Sequence, residues 1–158
     1  MAPEIAVLLH NVRSAHNVGS IFRTADAAGA TRVFLSGYTP TPLDRFGRAH
    51  KEIAKTALGA ERYLPWEYRK APAALIAALR KEGWRVVGVE QDTDAHDYRT
   101  FTATEKTLFV LGNEVLGLSK PLRALCDLLI EIPMHGKKES LNVGVAAGII
   151  LFGCRSDQ

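Results

Sequence analysis

Cysteine is nearly absent: Cys126 and Cys154 are the only two in 158 residues. Two separated thiols cannot build a disulfide framework. MAPEIAVLLHN carries an acid and no basic n-region, so no signal peptide is read and a reducing cytoplasm is the expected location. Long apolar runs are missing too. The longest, Val143–Gly153 (VGVAAGIILFG), is eleven residues against the roughly 18 needed to span a bilayer. It reads as a buried helix, and no membrane partner is expected. The dinucleotide fingerprint G-x-G-x-x-G, internal repeats and low-complexity tracts do not occur, and no metal-ligand set is read. What remains is a composition 47% apolar and 23% charged, that of a folded chain. Its length fits one domain over residues 1–158, burying roughly 70% of its unfolded surface.

The net charge of +3 is unevenly spread. Residues 1–70 carry ten Lys/Arg against six Asp/Glu, and residues 71–105 carry four against six. A basic front half is compatible with a polyanionic partner such as nucleic acid, and equally with a solvated face.

Ile5–Leu9 (IAVLL) and Thr31–Leu35 (TRVFL) are strand-length apolar runs. Between them Val18, Ile21, Phe22 and Ala25 fall on one helical stripe, with Asn17 as a competent N-cap and Gly29 as a stop. The Gly/Pro-rich stretch 36–51 reads as a long loop, followed by a short helix over His50–Leu58. Glu61–Leu64 reads as a short strand and Pro72–Glu82 as a helix with Pro at its start. Trp84–Glu90, Thr107–Leu111 and Asp127–Ile132 are further strands; Gln91–Thr100 is polar and unassigned. A helix begins near Pro121, and the apolar segment from Val143 closes the chain. Unbroken apolar strands alternating with helices give an α/β fold, with a mostly parallel sheet covered on both faces.

Two turns stand out. GNEVLGLS (112–119) follows a strand and precedes a helix, where open α/β sheets place ligands. It has the glycine spacing of a phosphate loop, but Leu118 replaces the lysine and Glu114 adds negative charge, which argues against a nucleoside triphosphate. IPMHGKKESLNV (132–143) leads into the closing helix, with Ser140 and Asn142 both able to cap it. A helix without a polar face requires a core or a subunit interface. Arg23 is unexplained by the helical stripe: at 100° per residue it lies about 140° from Val18, off the core face.

Taken in order, N-V-G-S-I-F-R, G-N-E-x-x-G-L-S and I-P-M-x-G-x-x-x-S-L-N-V resemble the three motifs of the SpoU/TrmH-type RNA 2′-O-methyltransferases of the SPOUT superfamily. The match runs from Ile5 to Phe152. The resemblance implies a C-terminal deep trefoil knot, which the general rule against threading would not have predicted. It implies S-adenosylmethionine as cofactor, held around Gly112, Ile132, Met134, Ser140 and Leu141, and a homodimer formed by the first and last helices. It assigns catalysis to Arg23, Asn17, Glu114, Ser140 and Asn142. Gly144 stands where the family often has a second serine. A guanidinium has no acceptor atom, so Arg23 is better suited to stabilising charge on the 2′-oxygen than to taking its proton. Asn17 is open to two roles, helix cap or positioning of Arg23 or the nucleotide. Glu114 is expected to orient Arg23, including across the dimer interface, unless it is only a turn residue paired with a lysine.

Ile5 already starts the first strand, so no separate RNA-binding extension is expected, and RNA would meet the domain's own surface. Arg45, Arg48, His50 and Lys51 in the long loop are candidates, with Lys137 and Lys138 near the cofactor turn. Transfer RNA is placed ahead of ribosomal RNA as substrate. The rival readings are an RNA-binding module of the same fold without catalysis, and an α/β nucleotide-binding protein.

Overall fold

The computed structural model describes residues 3–156. Seven strands form one sheet in the order β3-β2-β1-β6-β4-β7-β5, and every pair is parallel. At its centre lie β1 (Ile5–His10) and β6 (Thr107–Leu111), in register Val7 to Phe109. Both are apolar without a break because both faces are covered. Alternation then divides their side chains. Ile5, Val7 and Leu9 enter one core with Val18, Ile21, Phe22 and Ala25 of α1 (Ala15–Ala27). Ile53 of α2 (Lys51–Ala57) and Ala147, Ile150 and Leu151 of α6 (Val143–Gly153) join that core. Ala6 and Leu8 face the other core, with Leu75, Ile76 and Leu79 of α4 (Pro72–Lys81) and Leu122 of α5 (Lys120–Leu125). The remaining strands are β2 (Arg32–Ser36), β4 (Arg85–Val89) and β7 (Leu128–Glu131).

Three expectations are corrected. Glu61–Leu64 is not a strand: Ala60–Tyr63 forms a helical turn, α3, and the strand β3 follows at Trp66–Tyr68. Leu58 and Gly59 are both left-handed, with φ of 52° and 94°, so the chain reverses and restarts a helical turn; Pro65 then favours extended backbone at Leu64. The polar stretch 91–100 contains an edge strand, β5 (His96–Asp97), paired with β7, and a 3-10 turn at Tyr98–Thr100. Two residues are too few to show a periodicity. Asn17 does not cap α1. Ser14 does, its hydroxyl accepting from the Asn17 amide at 3.2 Å.

α6 buries one face against α1 and leaves Val145 and Phe152 about half exposed. No helix among the described residues is long and apolar enough to cross a membrane. The close seating of α1 on α2 depends on Gly19, where a Cβ would meet the Thr56 hydroxyl and the Ile53 carbonyl. Gly19→Ala is expected to destabilise the chain by about 2 kcal/mol, as overpacking does, read from the midpoint of urea unfolding.

Candidate active site

All seven strands point the same way, so the segments leaving β1, β6 and β7 emerge at one end of the sheet. These are the three conspicuous stretches of the sequence. A cavity lies between the 112–117 turn and the 131–141 segment. Gly112, Ile132, Met134, Ser140 and Leu141, the five residues expected to hold a cofactor, all line it. Gly112 must be small: a Cβ there would lie 2.6 Å from the carbonyl oxygen of Gly117 across the turn.

Hydrogen bonds join the three stretches. The Glu114 carboxylate accepts from the backbone amides of Arg13 at 3.0 Å and Ser14 at 2.9 Å, and from Asn17 Nδ2 at 3.1 Å. Asn17 is buried, and its Oδ1 accepts from Asn142 Nδ2 at 3.1 Å. Asn142 in turn caps α6, its Oδ1 accepting from Gly144 and Val145 amides at 2.8 and 3.2 Å. Burial pushes the Glu114 carboxyl up, but the amides of Arg13 and Ser14, with Asn17, outweigh it and hold its pKa below the usual value. Within the chain the Glu114 carboxylate is directed to the amino-terminal end of α1, where free amides favour a carboxylate.

Arg23 does not line the cavity. It is exposed on α1, in a shallow groove with His16, Thr24, Lys55 and Phe152. The structure therefore brings Asn17, Glu114 and Asn142 together, sets Ser140 on the cavity wall, and leaves Arg23 apart from them within one chain.

The basic candidates fall on two loops. Arg45 and Arg48 both lie against the Phe46 ring, at 4.9 and 5.0 Å, and Arg48 is paired with Asp44 at 2.8 Å. Lys51 opens α2 and is exposed, whereas the Nδ1 of His50 is buried and unable to meet RNA. Lys137 and Lys138 are exposed between Met134 and Ser140 but do not line the cavity.

Sequence reasoning missed Glu90 and Glu131. Both line the cavity, and Glu90 accepts from the Leu118 amide, fixing the far end of the glycine turn. The lining contains three glutamates and no lysine or arginine, so it suits a ligand with positive charge and repels a triphosphate. Position at the end of β4 was the only signal for Glu90. Among the described residues no three His, Cys, Asp or Glu side chains converge as metal ligands.

A parallel sheet with a glycine-turn cavity at its carboxyl end, acid-lined and locked to the first helix, defines an α/β protein with a ligand site at the ends of its strands. A sequence profile of the SpoU rRNA methylase family matches residues 4–152, and the chain belongs to that family. It is 36% identical over 156 residues to a tRNA (guanosine(18)-2′-O)-methyltransferase of Thermus thermophilus, covering 95% of this chain and 73% of that one. It is 33% identical over 150 residues to the 23S rRNA (guanosine-2′-O-)-methyltransferase RlmB of Pseudomonas putida, covering 95% and 58%. The crystal structure of the SpoU methyltransferase AviRb of Streptomyces viridochromogenes in complex with AdoMet superposes with a TM-score of 0.84 at 32% identity, over 98% of this chain and 60% of that one. The chain thus spans little more than half the length of several of its relatives.

Removing the Asn17 side chain cuts two of the four hydrogen bonds just described between the stretches. Asn17→Ala is expected to cost about 2 kcal/mol in urea unfolding, since the carboxylate and Asn142 each lose a partner. Glu114 titrates with a lowered folded pKa, so its contribution is present above the ordinary glutamate pKa and is lost as pH falls through the folded value. Below about pH 4 the wild type should therefore lose stability more steeply than Glu114→Gln, measured as urea midpoints from pH 7 to 3.

Proposed function

We propose that this chain transfers a methyl group from S-adenosylmethionine to a ribose 2′-hydroxyl of structured RNA. The observation that carries this reading is the hydrogen-bonded junction of Glu114, Asn17 and Asn142 beside the acid-lined cavity. The residues present fit the cofactor. Gly112 lets the turn that walls the cavity close on Gly117, and Ile132, Met134, Leu141 and Val143 offer an apolar bed. Glu90, Glu114 and Glu131 supply a negative potential for a sulfonium cation. When bound, S-adenosylmethionine supplies a methyl group already activated on sulfur.

The chain's own residues orient the acceptor and manage charge on its oxygen. Ser140, on the cavity wall, and Asn142, fixed by two α6 amides, would shape the space between cofactor and ribose. Arg23 would grip a phosphate near the target ribose and stabilise negative charge on the 2′-oxygen, leaving the proton to a phosphate oxygen or water.

Arg23 lies outside the cavity of its own chain, so this role calls for a second copy. The half-exposed Val145 and Phe152 of α6, with the outer face of α1, are the surface through which a homodimer would form. The C-terminal trefoil knot is part of the same proposal. In its favour, the end of α6 returns to the segment between β5 and β6, where the Ala103 amide donates to the Cys154 carbonyl at 2.8 Å. The relatives act on transfer RNA and ribosomal RNA in turn. Transfer RNA is our preferred substrate, and the cytoplasm the expected compartment.

Arg23→Ala should keep cofactor affinity within about twofold by calorimetry while slowing methyl transfer to total RNA about 100-fold or more. Near wild-type turnover would remove Arg23 from the reaction. Mass spectrometry of the product nucleosides should find ribose methylation, and methyl groups on bases alone would overturn the 2′-O assignment.

A further inference from the structure

A second groove shares a wall with the cofactor cavity. It is lined by Arg13, Ser14, Asn17 and Tyr38 on one side and by the 113–116 turn on the other, and that turn also lines the cavity. We infer that this groove seats the acceptor nucleotide, with its base on the Tyr38 ring against Val115 and Leu116 and its phosphate near Arg13. The inference rests on the proposed RNA methyl transfer and names residues for the RNA side of that reaction.

Tyr38 is 56% exposed, yet it is held at both ends. Its backbone amide donates to Asn11 Oδ1 at 3.0 Å, and its hydroxyl accepts from Asn113 Nδ2 at 2.9 Å. Beneath it, Tyr68 donates its hydroxyl hydrogen to the Gly37 carbonyl at 2.8 Å. Asn11 adopts φ 57° and Gly37 φ 63°, left-handed values that Asn and Gly tolerate best. The loop is thus built around this ring. An exposed aromatic fixed in advance is a stacking platform that loses little entropy when a flat base lies on it.

The opposite wall is prepared in the same way. Val115 and Leu116 are 89% and 80% exposed, and both their amides donate to Asn113 Oδ1 at 2.8 Å. One side chain, Asn113, therefore fixes both walls, and it belongs to the turn that bounds the cavity.

Charge selects the occupant. Glu114 in this groove is turned to the Arg13 and Ser14 amides, and the exposed Arg13 side chain sets a cation at the groove's rim. An apolar slot with an aromatic wall and one cation suits a nucleobase with its phosphate. The base must be unstacked to enter, so the groove fits a nucleotide in a loop or bulge and not one inside a duplex.

The test uses the whole chain with RNA bearing 4-thiouridine, photo-cross-linked, with the adduct mapped by mass spectrometry. An adduct on the peptide containing Tyr38 or on the 113–116 turn is expected. In parallel, Tyr38→Ala and Arg13→Ala should raise KM for RNA about tenfold or more at unchanged cofactor affinity, with Tyr38→Phe recovering part of the loss. Adducts confined to other surfaces, or an unchanged KM in both variants, would overturn the assignment. A wild type that binds S-adenosylmethionine but methylates no RNA would defeat the proposed function instead, and the cross-link would still decide who occupies the groove.

Discussion

The structure around the site depends on one carboxylate at the start of one helix. Glu114 leaves the turn after β6 and closes on the backbone amides of Arg13 and of Ser14, the N-cap of α1, which have no partner within the helix. Asn17 extends that contact to Asn142 and so to the first turn of α6. Segments about a hundred residues apart in sequence are fixed against each other by side chains that are partly or wholly out of water. In such surroundings a hydrogen bond to a charge is stronger than in solvent, and an unmet group is more costly. The cavity inherits its shape from that junction, since its walls are the loops the junction ties together.

The same contact explains why a turn that resembles a phosphate loop is not one. A phosphate loop turns amides and a lysine toward its ligand. Here the turn is held from two sides by carboxylates, Glu114 reaching to α1 and Glu90 reaching in to the Leu118 amide. Backbone amides that could have met an anion are already met. What the lining then offers is negative potential, apolar surface and backbone carbonyls, a set complementary to a cation with an apolar body.

The sheet was legible because buried parallel strands carry continuous apolar runs, as in residues 5–9 of β1, 33–35 of β2 and 108–111 of β6. α3 was not, because Glu61–Leu64 mixes polar and apolar residues over one turn, and the deciding feature is the left-handed pair Leu58 and Gly59. The site residues were legible as an ordered pattern of types, but their contacts were not. Ser14 and Asn17 are both competent caps, and local chemistry cannot choose between them. Once Ser14 takes the cap, Asn17 is free to turn inward, toward partners 97 and 125 positions away. Nothing near Asn17 in the sequence announces either one. The partners of Glu114 within the chain were hidden for the same reason: its charge suggests an arginine or lysine, while its position offers the Arg13 and Ser14 amides and Asn17.

The place of Arg23 links chemistry to assembly. On the outer face of α1, beside Phe152, a lone guanidinium is surrounded by water and its field is largely screened. In that setting it would lend little to a developing oxyanion. A second copy over α1 and α6 would bury apolar surface and remove water from around Arg23 in the same event, and each step toward lower dielectric would strengthen its hold on negative charge. In the proposed dimer the apolar α6 face and the isolated arginine would be two halves of one device, the cation gaining its hold on negative charge as the second copy covers it. That arrangement also accounts for an arginine that no intrachain carboxylate was found to neutralise among the described residues, since an ion pair within the chain would compete with the RNA for its charge.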